Sequence, residues 1–394
     1  MKSLYDTDTR RVPALLPLVC ALLFFVGFEM GGFQLVLRGV STEFSMTATG
    51  AGLLVAAQNA GIMLMPPLFG SLSDRIGKKR VLLLFSLIFC LGCAFTGLSR
   101  GVLPFILGVF LIGSGYSVCE CTGSAALADA YPEKSAKYIN LSQCMLSAGA
   151  VVSPVLTQGV MDTLQWSWRF VFLLCAVMYI PLILLLGKLR FGAAPKNAAT
   201  AERSVMLDFL RSPVFLLLFL SILLYVGLEN GVGYFTESFF TLQLSSASLG
   251  AYAISAYWAA MALSRLLCGL ITLPAHRTLC IGLGVSALLF ALLAASGTPY
   301  VALVLCGLIG FSFGPIWSLL IDLAAKEFPS RSGAAIGCMS AGCGMGGVLF
   351  PALVGATADT LDLRFAFLLL AAAALAACAL CYAVLRRKSA PTEH

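Results

Sequence analysis

Charge is what this chain has least of. Of its 394 residues only 11% are Asp, Glu, Lys or Arg, where an average soluble domain carries roughly a quarter. Hydrophobic residues make up 60%, and the mean hydropathy is +0.96, which excludes an ordinary soluble fold. Histidine is nearly missing too: His276 and His394 are the only two. That is too few for a His-rich ligand set, so no metal site and no cofactor is expected. The phosphate-loop pattern G-x-x-x-x-G-K-(S/T) does not occur, which removes a nucleotide-driven motor. No nucleophile and base are paired beside an electrophile-stabilising group, so the chain does not read as an enzyme.

Cysteine is not scarce, with fourteen residues, but nearly all lie inside apolar runs, where a thiol behaves as a small hydrophobe. Cys378-x-x-Cys381 sits in the last such run with no soluble redox fold around it. Arg10-Arg11 ahead of an apolar run resembles the start of a secretion signal. That run is too long and lacks a small-residue cleavage site, so it reads as an uncleaved first span.

The apolar runs predict an all-α membrane protein of twelve spans, near 14–38, 48–69, 81–99, 102–128, 136–161, 168–187, 213–241, 247–272, 278–296, 299–325, 333–358 and 364–386. Lys and Arg sit in the short connections, not along one face, so the net charge of +7 does not point to nucleic acid. Most fall on one side: Arg10, Arg11, Arg75–Arg80, Lys134, Lys137, Lys188–Arg211, Arg277, Lys326, Arg331 and Arg386–Lys388. Only Arg38, Arg100, Arg169 and Arg364 fall on the other. The positive-inside rule then puts both termini in the cytoplasm, in a multi-pass protein of the cytoplasmic membrane. The longest polar stretch, 190–211, divides a six-span bundle (1–189) from a second one (212–394) and reads as a cytoplasmic linker.

The two halves repeat each other. Gly27-Phe28-Glu29-Met30-Gly31 returns as Gly227-Leu228-Glu229-Asn230-Gly231, an offset of 200. Ile112-Gly113, Pro132, Ser135, Ile139, Pro154 and Asp162 return as Ile309-Gly310, Pro329, Ser332, Ile336, Pro351 and Asp359, all offset by 197. A near-constant offset over so many turns means duplication of a six-helix unit. Two pseudo-symmetric halves rocking about a central site are a carrier arrangement.

Between the second and third runs stands G-S-L-S-D-R-I-G-K-K-R, Gly70 to Arg80. Its five charges cannot sit in hydrocarbon, so it is expected to be a tight turn. Gly70 would allow close helix approach, and Gly77 a turn that a Cβ would obstruct. Asp74 and Arg75 would hold charge contacts with neighbouring helix ends, a latch able to break and reform. Asp129 and Asp322, near helix ends on the same side, are expected to touch it. The run resembles the loop signature of the major facilitator superfamily, G-x-L-x-D-R-x-G-(R/K)-(R/K)-x, with every position filled. That resemblance implies a secondary transporter: a monomer in membrane lipid that carries a small solute by alternating access.

Mid-membrane carboxylates need a partner, a wet cavity or a proton. Glu29 and Glu229 hold matching places in the repeat and should face the two-fold axis. Glu120, in the fourth span, shares a face with Tyr116, Ser117, Gly123 and Ser124. These three glutamates are the candidate proton-coupling groups. Gln34, Gln58, Asn140, Gln143, Asn230, Tyr234 and Trp317 are the candidate substrate-binding residues, with Asn59, Phe33, Tyr257, Trp258 and Phe313 as further lining candidates. Trp317 is the first choice among the aromatics. Glu237, two turns beyond Glu229, is balanced between lining and solvated roles. Arg265, near the end of the eighth span, reads as a snorkelling or charge-paired residue.

Cys119-Glu120-Cys121-Thr122 followed by Tyr138-Ile139-Asn140-Leu141-Ser142-Gln143 is similar to the fucose–galactose–glucose:proton symporter branch, which implies a sugar-like solute carried with protons. It departs at Gly123-Ser124-Ala125 and Leu146. The span 5 pattern of proton-coupled drug antiporters, G-x-x-x-G-P-x-x-G-G, is half present as Gly149-x-x-x-Ser153-Pro154. Efflux of a drug or metabolite against protons is therefore the alternative to symport.

Overall fold

A computed structural model describes residues 14–131, 135–189, 209, 211–270, 274–327 and 332–389. Among these every regular element is an α-helix. In hydrocarbon a helix satisfies each backbone N–H and C=O within itself, and a chain this apolar has little other choice. The first half contains α1 (Leu15–Glu43), α2 (Ala48–Ile76), α3 (Lys78–Leu98), α4 (Val102–Ala130), α5 (Ser135–Leu164) and α6 (Arg169–Lys188). The second contains α7 (Pro213–Gln243), α8 (Ala247–Leu270), α9 (Ala275–Ala295), α10 (Pro299–Phe313), α11 (Ile316–Glu327), α12 (Ser332–Thr360) and α13 (Leu363–Ser389).

The helices α10 and α11 are one span interrupted at Gly314-Pro315, because proline has no N–H to continue the ladder. Counted together they make one of 11 described segments that are long and apolar enough to cross a membrane. Helix α8 completes the twelve; its Ser, Tyr and Trp residues lower its hydropathy. Polar content matters here, because α8 faces the centre of the molecule.

The duplication is visible in three dimensions. Helix α1 packs on α5 and α7 on α12; α2 packs on α4 and α8 on α10. Equivalent glycines make these contacts possible. A Cβ on Gly113 would lie 1.9 Å from the Gln58 carbonyl oxygen, and one on Gly310 would lie 2.1 Å from that of Tyr257. The helices following α1 and α7 are entered through the same left-handed turn, with Ser45 and Ser245 both at φ 52°. Each half also closes one corner with an arginine. Arg169 bonds Glu43 (2.6 and 3.0 Å) and the Ser99 carbonyl (2.9 Å). Arg364 bonds Gln243 (3.3 Å) and the Ser296 carbonyl (2.9 Å). Glu43 and Gln243, like Ser99 and Ser296, are repeat equivalents. Two of the few arginines on that side are therefore helix staples.

The charged run is shorter as a turn than expected. Helix α2 continues to Ile76, and one residue, Gly77 at φ +95°, separates it from α3. Nothing lies within 4 Å of the position a Gly77 Cβ would take; glycine is required there by backbone conformation and not by a neighbour. Lys78 donates to the Ala125 carbonyl at 3.3 Å and Lys79 to that of Gly187 at 2.8 Å, so the turn ties α3 to α4 and α6. The side chains of Asp74, Arg75 and Asp129, and the surroundings of Gly70, lie outside the described residues, and so does the latch expected of them. Asp322 pairs with Lys326 one turn along its own helix, at 2.5 Å; the side chains expected to meet it in that run lie outside the described residues. An i,i+4 partner is always within reach, whatever the two halves do.

Across the halves, α2 lies on α12 and α5 on α8. On the side opposite Gly77 the halves are joined. Asp359 accepts from the Ala48 and Thr49 N–H groups, and Arg38 Nη1 lies 3.9 Å from Glu237. Glu237 is only 8% exposed and accepts from Thr241 at 2.7 Å. The solvated reading of Glu237 does not hold: the neighbouring half covers it.

Candidate central cavity

Between the halves lies a cavity of about 920 Å³. Its walls reach Pro66 of α2, Leu141 of α5 and Cys268 of α8, all toward the Gly77 ends of their helices. It therefore extends toward the Gly77 side and is roofed on the Asp359 side. All three mid-membrane glutamates, Glu29, Glu120 and Glu229, line it, together with Gln34, Gln58, Gln143, Asn230, Tyr234 and Trp317. Asn140 alone among the candidate binding residues has a side chain outside the described ones.

Glu29 is 1% exposed. The Gln58 amide donates to both its oxygens, at 3.2 and 3.0 Å, and the Tyr234 hydroxyl donates to the Gln58 carbonyl at 2.9 Å. This relay runs α1, α2, α7 and so crosses between halves. Beside it, Trp258 of α8 donates its indole N–H to Gln34 of α1 at 2.8 Å. The approach is close, since a Cβ on Gly233 would sit 2.6 Å from the Gln34 amide nitrogen. These bonds form the roof of the cavity. Without them, five buried polar groups would face one another unpaired in a dry interface.

Glu120 accepts from Gln143 of α5 at 2.9 Å, and Tyr116, one turn behind it, lines the same cavity. Tyr225, one turn behind Glu229, donates its hydroxyl to the Phe313 carbonyl at 3.2 Å.

Of the two sequence readings of Arg265, snorkelling and charge pairing, the first does not hold. The side chain does not snorkel to the surface but lines the cavity. Its Nε donates to the Gly314 carbonyl at 3.2 Å, and its Nη1 reaches Ser147 of the other half at 3.5 Å. Glu120 and Glu229 line the same cavity. The break at Gly314-Pro315 explains the position, because it frees a carbonyl on the cavity wall for the guanidinium. The Gly-Pro pair was visible in the sequence; that it faced Arg265 was not. Of the other aromatics, Phe33, Tyr257 and Phe313 are core residues packed on rings, while Trp258 and Trp317 line the space. Trp317 is 38% exposed there. Four thiols also line it: Cys121, Cys144, Cys268 and Cys343.

Twelve helical spans around one polar cavity define a membrane carrier. The family model of the Major Facilitator Superfamily matches residues 18–334 and 240–394, and the chain belongs to that family. The chloramphenicol resistance protein CraA of Acinetobacter baumannii is 31% identical over 175 residues, 43% of this chain and 42% of that protein. The multidrug resistance protein MdtM of Salmonella typhimurium is 29% identical over 189 residues, 46% of this chain and 44% of that one. The chain thus matches less than half the length of either relative. Among solved structures, a single-site variant of the Escherichia coli fucose:proton symporter FucP superposes with a TM-score of 0.68 at 18% identity, covering 95% of this chain and 99% of that one. A bacterial homologue of the human lysosomal transporter Spinster, inward-facing and unoccupied, gives 0.78 at 13%, covering 96% and 97%. At such identities the likeness is one of fold.

Proposed function

We propose that this protein is a proton-coupled antiporter that exports an amphipathic, preferentially cationic, organic solute from the cytoplasm. The observation that carries the reading is the charge of the cavity: three carboxylates, Glu29, Glu120 and Glu229, face one guanidinium, Arg265. Ionised, they leave a surplus negative charge that a cation or protons can neutralise, and an uncompensated charge is costly to carry through an occluded state. Trp317, Trp258, Tyr116 and Met30 supply aromatic and polarisable surface for the apolar part of the solute. The resistance proteins to which the chain is similar support the same direction. In this reading both termini and the 190–211 linker are cytoplasmic, the cavity is open to the cytoplasm, and the protein works as a monomer.

Sugar-like solute symport is the second reading. It is favoured by the amide–carboxylate pairs Gln143–Glu120 and Gln58–Glu29, which could exchange partners with hydroxyl groups. Proton flux in inverted vesicles separates the two. With an acidified lumen, antiport makes a lipophilic cation release protons from the vesicle, and symport makes a sugar draw protons in the solute's direction. If no cation in a chemically varied panel moves protons and a sugar does, the antiport reading fails.

A further inference from the structure

Where this chain uses an arginine as a staple, it gives it a carboxylate: Arg169 holds both oxygens of Glu43, at 2.6 and 3.0 Å. Arg265, on the cavity wall, is treated differently. Its Nε bonds the Gly314 carbonyl at 3.2 Å and its Nη1 the Ser147 hydroxyl at 3.5 Å, both neutral acceptors, and Nη2 takes part in neither bond. Among the described residues no carboxylate forms an ion pair with it within 4 Å. The carboxylates of the cavity divide in the same way. Glu29 accepts the Gln58 amide and Glu120 the Gln143 amide. Glu229, which lines the cavity from α7, forms no ion pair within 4 Å with any described cation. The second half thus presents a guanidinium and a carboxylate to one cavity, each unpaired, with more than 4 Å between them.

We infer that Arg265 and Glu229 form a two-point site for a zwitterionic amphiphile: Glu229 takes the cationic group of the solute and Arg265 takes a carboxylate on the same molecule. This rests on the reading of the cavity as the site of a cationic organic solute, and names a second charge on that solute. Opposite charges held apart inside a membrane are tolerated while water fills the space between them. A solute that displaces the water has to replace its contacts, and one with a complementary charge at each end does so. The planar guanidinium fork matches the two oxygens of a carboxylate, which an ammonium does not. The Gly314 carbonyl, freed by the break between α10 and α11, fixes the side chain on the wall before any solute arrives. Both charges of the solute are then met in one half, and Glu29 and Glu120 remain for protons.

The test compares two dyes that differ in one group: rhodamine 110, a zwitterion with a free carboxylate, and rhodamine 123, its methyl ester and a plain cation. Binding to the full-length protein in lipid nanodiscs is read by fluorescence polarisation, with empty discs subtracted. Wild type should bind the acid about tenfold more tightly than the ester, roughly 1.4 kcal/mol. In Arg265→Gln the acid should weaken until the two dyes agree within about twofold, with the ester unchanged. Glu229→Gln should weaken both dyes and leave their ratio as in wild type. An arginine with a structural role alone would weaken both dyes equally in Arg265→Gln, and that result overturns the inference. If wild type binds the ester as tightly as the acid, the carboxylate subsite is overturned while export of cations stands. That comparison needs no variant, so it holds even if Arg265→Gln does not fold. If neither dye binds wild type, both readings fall. Unchanged binding of both dyes to Glu229→Gln overturns the two-point site from its other end.

Discussion

Asp359 and Thr49 stand 310 residues apart in sequence and 2.7 Å apart in space. One carboxylate oxygen of Asp359, at the end of α12, accepts the Thr49 N–H, and the other accepts that of Ala48 at 2.8 Å. The acid of one half thereby caps the first turn of a helix in the other. Those N–H groups have no partner inside α2, and a negative charge is favoured at a helix N-terminus. The repeat equivalent, Asp162, bonds Gln158 on its own helix instead. The joint is one-sided.

Such a cap must break whenever the Asp359 side opens. Asp359→Ala removes an N-cap interaction worth about 0.5–2 kcal/mol, and so shifts the closed form toward the open one by several-fold. Hydrogen exchange of the first turn of α2 should accelerate by the same factor. Asp162→Ala should leave that exchange unchanged. Equal protection in Asp359→Ala and wild type would remove the capping role.

Glu120 is expected to carry a coupled proton. Glu120→Gln keeps the Gln143 neighbour but can no longer gain or lose charge. Proton-driven accumulation in vesicles should fall at least about tenfold, an increase of roughly 1.4 kcal/mol in the step it serves. Counterflow exchange of labelled solute should persist, since no net proton movement is needed. Undiminished accumulation would take Glu120 out of the mechanism.

The relay Tyr234–Gln58–Glu29 should behave as a unit. Gln58→Ala leaves a buried carboxylate without its amide donor and a buried hydroxyl without its acceptor, at about 1–3 kcal/mol for each group. A lowered melting temperature is expected. In the double variant Glu29→Ala/Gln58→Ala the loss should be less than the sum of the single losses, because the partners go together. Strict additivity would mean that the two side chains do not depend on each other.

Gly113 and Gly310 predict a matched pair of defects. An alanine at either would push a methyl to 1.9 or 2.1 Å from a carbonyl oxygen of the packed helix, and backbone on both sides cannot yield cheaply. Each variant should lose at least about 1–3 kcal/mol of stability. Gly297→Ala, with nothing within 4 Å, should be near neutral. Tolerance of alanine at both sites would show that the helices can separate without cost.

Much of this architecture can be read along the chain because lipid simplifies the problem. The span between Ala48 and Phe69 is legible since nothing but a helix satisfies its backbone there. The repeat is legible since Gly113 and Gly310 stayed glycine where two helix backbones touch. Glu29, Glu120 and Glu229 are legible as cavity residues since hydrocarbon tolerates few carboxylates anywhere else. Arg265 was not, because a long cationic side chain near a helix end has two destinations, the surface or the interior. Sequence position does not distinguish them. The extent of α2 was also misread: five charges between two spans look like a loop, yet a helix can carry them past the edge of the hydrocarbon until Gly77 turns the chain.

Apolar periodicity, the duplicated glycines and the intramembrane acids thus determined by themselves that this is a twelve-span carrier with an acidic centre, since each is enforced locally by the solvent around the chain. Which acids meet which partners was decided only when the two halves packed together. The Asp359 cap on Thr49, the Gln58 relay to Tyr234 and the reach of Arg265 toward Ser147 all join residues more than a hundred positions apart. Their geometry depends on helix rotation and depth, and a one-dimensional pattern does not encode either.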